Sequence, residues 1–449
     1  MTIDTRTRLF DDLAQGLFSG LKPGEQLSLN LSAEDQVYVR FNQGRVRQIT
    51  HVDQQRLGLE LQKSARRFNL SLDLTGHGER DQHQLNAALE WMRSSLEGQA
   101  EDPFIAPLVS GGESDVHHLG TPASVSEVSA AIETLGRMAD CAGLYAGGLQ
   151  YRGARNSLGM RHDFSSQSYF LDYSLFTVND ASENKAIKGC MSARDWDAKA
   201  VEDHCRRNQT LLQRLRPKSL KIDPGHYRVY LAPPAFEALI RMLSWGALSY
   251  GAYRRGDSAF SRWVEGEVTL SDQLHLAEDF SLGLAPRFNP RGEIAPERLP
   301  LIEAGRHGNL LINARSAKEY GVTGNGADSQ ESLRSPVVQP GALDLEDVIK
   351  TLDTGLYIGN LHYLNWSDQM NARVTGMTRY GCFWVEDGEI ISPIQDLRFD
   401  ESLFRCLGSE LEALTRTTDI IPATDTYLQR ALGGSQVPGA LIRKFAFTL

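Results

Sequence analysis

The pattern of hydrophobic positions along the chain switches between a helical period and a strand period. Leu9, Phe10, Leu13, Leu17 and Phe18 recur at three- and four-residue steps, which predicts a helix over the first ten to twenty residues. The period then becomes two. Leu27, Leu29 and Leu31 alternate with Ser28 and Asn30, and Val37, Val39 and Phe41 alternate with Tyr38 and Arg40. A turn at Gly44 opens a third run, and runs over 57–61 and 68–74 follow, so this region reads as a meander of short antiparallel strands. Leu85, Leu89 and Met92 share one face of a helix over about 80–97. Residues 98–123, rich in Pro, Gly, Ser and Asp, read as a long loop. A helix over 125–139, strands from 147 to about 176 and a charged helix over 194–215 come next.

Pro217, Pro224 and Gly225 then interrupt the patterning, which divides the chain into an N-terminal domain over 1–216, a linker over 217–226 and a C-terminal domain over 227–449. The second part opens with a strand at 227–232. Pro233 and Pro234 start a helix that the pattern carries to about Tyr250. A Gly- and Pro-rich stretch spans 281–345, and strands return at 355–359, 374–385 and 389–394. Helices and antiparallel strands thus come in blocks. The expected class is α+β, with strands and helices in the first domain and a second domain dominated by antiparallel β-sheet.

Composition narrows the function classes. A chain of 449 residues exceeds one ordinary core, in keeping with two or three domains. Its net charge of -10 gives no support to a large electrostatic footprint for nucleic acid. No apolar run is long enough for a membrane helix, and the opening Met-Thr-Ile-Asp-Thr-Arg lacks the apolar segment of a secretion signal. Cys141, Cys190, Cys205, Cys382 and Cys406 are scattered and odd in number, as expected for reduced thiols in a cytoplasmic protein.

Local motifs for chemistry are absent. A zincin-type helix needs two histidines about one turn apart, with a glutamate beside them to activate the bound water. None of the 11 histidines has that spacing. His117 and His118 are adjacent, so their rings diverge, and His226, His275, His307 and His362 stand alone. There is no GxSxG elbow, no GxxxxGK[ST] phosphate loop and no GxGxxG. Gly324-Asn-Gly326 reads as a turn, and Glu237 as a solvated helix acid.

Several longer blocks nonetheless resemble the TldD/PmbA family of metallopeptidases, historically called modulators of DNA gyrase. They are Ala252-Tyr-Arg-Arg-Gly-Asp-Ser-Ala-Phe, then Leu301-Ile-Glu-Ala-Gly with the stretch from Leu310 to Gly326, then Val374 to Ile390, and finally Val437 to Thr448. The resemblance is most specific over 227–449 and looser over 37–61. It implies a two-domain α+β fold and an HExxxH zinc helix just before Arg254-Arg255-Gly256. Counting back without gaps puts Arg241 and Gly246 at the two histidine positions and Met242 at the glutamate. Gly has no ligating side chain and Arg stays protonated.

The resemblance therefore implies a degenerate zinc helix over about 234–250 and a PmbA/TldE-type subunit that binds no zinc itself. The expected partner is a zinc-bearing TldD-type subunit, with a homodimer as the other arrangement, and the expected substrate an unstructured peptide. No nucleic-acid or membrane partner is expected. Arg254, Arg255, Asn313, Arg315, Tyr320, Asn325 and Arg379 are the candidate residues lining a peptide cleft, and strand addition the expected mode of binding. Two alternatives stand beside this reading. One is an active hydrolase rebuilt from dispersed residues such as His307, Cys382 or Cys406; the other is a gyrase-binding module.

Overall fold

The computed structural model describes residues 1–448. The first half contains helix α1 (Ile3–Ser19), strands β1 (Glu25–Asn42), β2 (Arg45–Lys63) and β3 (Arg66–Leu74), helix α2 (Gly78–Glu97), strand β4 (Glu113–His118) and helix α3 (Val125–Met138). Strands β5 (Asp140–Asn156), β6 (Arg161–Val178) and β7 (Asn184–Ala193) and helix α4 (Ala198–Gln213) complete it. The strands form one sheet in the order β3-β2-β1-β5-β6-β4, with β7 also on β6.

The period-two pattern sets what each face of this sheet carries. Leu27, Leu29 and Leu31 on β1 pair in register with Leu61, Leu59 and Leu57 on β2, and their side chains bury under α1 and α2 with Phe10, Leu85 and Met92. Val39, Phe41 and Tyr145 continue the same face under α3 and α4. The opposite face carries Ser28, Asn30, Ser32, Glu34 and Gln36 from β1 and Gln150 and Arg152 from β5, because successive side chains alternate across a strand.

The short strands expected between 27 and 61 are in fact one long hairpin of β1 and β2, since the polar residues between the apolar runs keep their ladder pairing. The loop expected over 98–123 contains β4, which pairs in parallel with β6. Its polar sequence hid it: Ser114, His117 and neighbouring side chains bond across to β6 rather than into a core.

The second half contains β8 (Gly225–Leu231), α5 (Pro233–Met242), α6 (Tyr250–Arg255), α7 (Ser261–Val264), β9 (Leu276–Asp279), β10 (Arg298–Glu303), β11 (Arg306–His307), α8 (Ala314–Tyr320) and β12 (Pro336–Val338). After α9 (Val348–Leu352) come β13 (Gly355–Asp368), β14 (Arg373–Glu386), β15 (Glu389–Pro393), β16 (Arg398–Ser402), β17 (Leu411–Pro422) and β18 (Gly434–Phe447). β8 begins at Gly225, inside the expected linker.

These strands form an 11-stranded sheet whose path β18-β16-β14-β13-β8 returns on itself, because β8 pairs with both β13 and β18. Phe236, Leu239 and Ile240 of α5 pack with Val229, Ile358 and Ala440 in the largest core cluster. Both sheets are mostly antiparallel, so the α+β class holds.

One expected element is shorter. The helix predicted to run to Tyr250 ends at Met242. Leu243 and Ala247 keep helical spacing in sequence, but Gly246 sits at φ +85, outside the right-handed helix. The chain turns there, drops Leu243, Ala247 and Leu248 into the core, and restarts as α6 behind the Ser249 N-cap.

Candidate functional site

Between the polar face of the first sheet and the edge of α5 lies a cleft of about 1100 Å³. Its roof includes Asn30, Ser32 and Arg152, and its floor Glu237, Arg241, Trp245 and Gly246. The segments 285–290, 328–336 and 423–435 close its sides. A second chamber of about 460 Å³ continues past the shared residues Asn30, Asn289, Pro290 and Gln330 to β2, β3 and the start of α8. Together they make an elongated channel. In the first chamber the first sheet presents side chains of its inner strands β1 and β5, whereas the edge strand β3 lines the second chamber.

The loop 423–433 holds the two halves in place. The Arg430 guanidinium is buried; it donates to Gln36 Oε1 at 3.3 Å and to Ser168 O at 2.6 Å, and lies over the Phe170 ring. The Arg430 backbone N–H donates to Glu34 at 2.8 Å, and Gln150 donates to the Arg430 carbonyl at 2.6 Å. Ser32 bonds Gln429 at 2.9 Å. In the second chamber Arg291 ties Glu60 of β2 to Glu293.

The floor is polar and internally satisfied. Glu237 is only 5% exposed, which corrects its reading as a solvated acid. It accepts from Arg241 at 2.7 Å and from Ser435 Oγ at 3.0 Å. Asp328 accepts from the backbone of Gln330 and Ser332 and from the Ser332 hydroxyl. Glu278 lies just behind the wall, where it accepts the backbone N–H groups of Arg334 and Ser335. Burial pushes its carboxyl up to about 7, outweighing those bonds and the nearby Arg334 charge.

The three positions aligned with the zinc helix separate in space. Arg241 and Gly246 line the cleft, whereas Met242 is 3% exposed and belongs to the core. A guanidinium paired to a carboxylate, a thioether in the core and a glycine in a turn do not fit a zinc ion, which takes thiolate, imidazole or carboxylate ligands. Among the described residues no three His, Cys, Asp or Glu side chains gather as a metal site.

The expected cleft residues also divide. Arg255 faces the first chamber, and Asn313 and Arg315 the second. Arg254 instead lies at the surface over the Tyr250 and Tyr320 rings, which explains both Arg254 and Tyr320 as a clasp between α6 and α8. Asn325 is structural: it accepts from Ile312 N at 2.9 Å and donates to Leu310 O at 2.7 Å. Arg379 lines a separate cavity with Lys185 and Asp396.

The residues of the rebuilt-hydrolase alternative do not meet in the cleft. His307 packs edge-on against Trp263. Burial pushes the Cys382 thiol up to about 11 and holds Cys406 well above its ordinary value, so neither is a thiolate nucleophile. His117 stands between Ser165 Oγ at 2.5 Å and Asp115 at 3.0 Å, an order that resembles a serine-hydrolase relay, but Ser165 is fully buried.

Sequence reading missed Arg152, Arg334 and Trp245. The signal for Arg152 was present as the alternation Gln150-Tyr151-Arg152, which puts Tyr151 in the core and Arg152 on the other face.

The profile of the PmbA/TldA metallopeptidase C-terminal domain matches residues 224–449. Among curated proteins none matches by sequence. Among solved structures, TldE from Thermococcus kodakarensis superposes with a TM-score of 0.80 at 15% identity, over 98% of this chain and 100% of that one. A candidate modulator of DNA gyrase from Thermotoga maritima gives 0.77 at 15% identity, over 99% of both chains. Another, from Bacteroides thetaiotaomicron, gives 0.76 at 17% identity over 100% of both. At these identities the structural likeness establishes the fold. Among the described residues no helix is long and apolar enough to cross a membrane.

Proposed function

Because this chain belongs to the PmbA/TldD metallopeptidase family, we propose that it is a non-catalytic subunit of a TldD/TldE-type peptidase. It binds unstructured peptide in the inter-sheet channel and works with a zinc-bearing TldD-type partner. The observation that carries this reading is the Arg241–Glu237 pair at 2.7 Å on the last turn of α5, at the aligned place of the family's first histidine. A fixed cation there repels a metal ion, and its carboxylate partner is already engaged. The channel's length and its mixed polar lining suit an extended chain rather than a compact cofactor.

The residues of this chain would then position peptide: Asn30 and Ser32 offer hydrogen bonds from the roof, and Trp245, 53% exposed at the floor, offers an apolar contact. The test is co-expression with a TldD-type chain that has an intact HExxxH helix. The expected product is a stable complex that holds zinc and cleaves unfolded peptide, with both properties lost when the partner's histidines are replaced. Stoichiometric zinc on this chain alone, or peptidase activity from it alone, would overturn the assignment. Recovery of gyrase without any TldD-type chain would favour a gyrase-binding role instead.

A further inference from the structure

The chain is acidic overall, with a net charge of -10, yet the inter-sheet cleft carries more arginines than acids. Four arginines line that cleft, Arg152, Arg241, Arg255 and Arg334, against two acids, Glu237 and Asp328. Both acids are occupied, Glu237 by Arg241 and Ser435, and Asp328 by the Gln330–Ser332 turn. The arginines differ in what they have left to offer. Arg241 is held by Glu237, and Arg334 spends its guanidinium on the carbonyls of Pro286, Phe288 and Gly326. Arg255 has only a loose, exposed contact with Asp257 at 3.4 Å.

Arg152 stands apart. It projects from β5 on the roof, and its side chain donates a hydrogen bond only to the carbonyl of Tyr151, at 2.8 Å. No carboxylate among the described residues pairs with it. Glu34, whose charge acts on Arg152 from the same face of the sheet, already accepts from Tyr38, Gln54 and the Arg430 N–H. Burial pulls the Arg152 guanidinium down to about 10, against the opposing effect of the Glu34 charge, and it stays charged at neutral pH. A half-buried guanidinium with no carboxylate bonded to it is a costly arrangement, only partly offset by the Glu34 charge, and a ligand carboxylate would relieve it with charge-assisted, bidentate bonds.

We propose that Arg152 is the anchor for a peptide carboxylate in the inter-sheet cleft, with Arg255 as the second cation, so that the chain selects peptides carrying a negative charge at or near the bound end. This rests on the peptide-channel reading above and adds a substrate class to it. The carboxylate is either the peptide's C-terminus or an acidic side chain; both offer the same planar pair of oxygens. An excess of positive charge in the cleft also concentrates such ligands at low ionic strength.

The experiment measures fluorescence anisotropy of three labelled, unstructured peptides of one length on the full chain. One has neutral side chains and a free C-terminal carboxylate. The second has an amidated C-terminus and one glutamate beside it. The third is amidated and neutral. At least one of the first two binds roughly tenfold more tightly than the third, and which one does so identifies the source of the carboxylate. Arg152→Gln erases the difference between the peptides, and Arg152→Lys restores part of it; thermal unfolding checks that each variant is folded.

Equal binding of all three peptides would overturn the carboxylate anchor and leave the peptide channel standing. A tenfold preference that persists in Arg152→Gln would overturn the role of Arg152. No binding of any peptide would overturn the channel reading itself. Displacement of bound peptide by a short single-stranded oligonucleotide at lower concentration than by free acidic peptide would overturn the peptide class in favour of nucleic acid.

Discussion

Arg241 reaches back one turn of α5 and donates to the Glu237 carboxylate through both Nε, at 3.0 Å, and Nη2, at 2.7 Å. Ser435, at the start of β18, donates to the same oxygen at 3.0 Å. The pair therefore joins the last turn of α5 to the central strand of the second sheet. Arg241→Ala should cost about 1–2 kcal/mol, because it leaves the buried Glu237 carboxylate with Ser435 alone while solvent reaches the half-exposed guanidinium and screens part of the pair. Urea unfolding of the two proteins measures this; a loss several times larger would mean that the pair carries more of the fold than its exposure allows.

Restoring the family's residues at the other two positions should harm the fold. Met242→Glu places a carboxyl in the largest core cluster and should cost about 3 kcal/mol or more. Gly246→His puts a side chain at φ +85 and should cost about 1–2 kcal/mol in backbone strain. Thermal denaturation of the single variants checks both, and a Met242→Glu variant as stable as the parent would contradict the burial of that position.

Glu278 predicts how stability changes with pH. Burial raises its carboxyl from 4.5 to about 7, so the folded state holds a proton that the unfolded chain releases between those values. The folded state is thus favoured most below about pH 4.5 by this group, and the contribution falls away as pH rises to about 7, by roughly 3 kcal/mol at most. Glu278→Gln should flatten that part of the curve. Chemical denaturation at pH 5 and pH 8 reads the difference between the two proteins.

Gly44 and Gly136 meet backbone to backbone. A Cβ on Gly44 would lie 2.4 Å from the Gly136 Cα, and one on Gly136 would lie 2.6 Å from the Gly44 Cα. Gly44 also has φ +63. Alanine at either site should cost about 2 kcal/mol or more, since the β1–β2 turn would have to lift off α3. Loss of amide-exchange protection in α3 would locate the damage.

Arg430→Ala should loosen the channel by leaving Gln36 and Ser168 without their buried donor, at about 2–4 kcal/mol. Because the loop 423–433 walls the cleft, limited proteolysis should cut it faster in the variant. Unchanged cleavage would show that the Glu34 and Gln150 bonds to the Arg430 backbone hold the loop without the guanidinium.

The sequence by itself determined which face each strand turns to the core, because a period of two needs no knowledge of the partner. Leu27, Leu29 and Leu31 were legible as buried, and Asn30 as facing the other way, from the alternation alone. The helices α1, α2 and α3 followed from apolar spacing in the same way, and the family followed from blocks of residues in order. The tertiary structure alone decided what the polar face opposes. Glu34 and Arg430 are 396 residues apart, and nothing near either signals the other. It also separated Arg254, which clasps α6 to α8 through Tyr320, from the adjacent Arg255, which faces the cleft, although the two belong to one motif. The end of α5 was decided there too. Leu243 and Ala247 have the spacing of a continuing helix, and only the left-handed turn at Gly246 takes them into the core and leaves Arg241 at the cleft with its charge already paired.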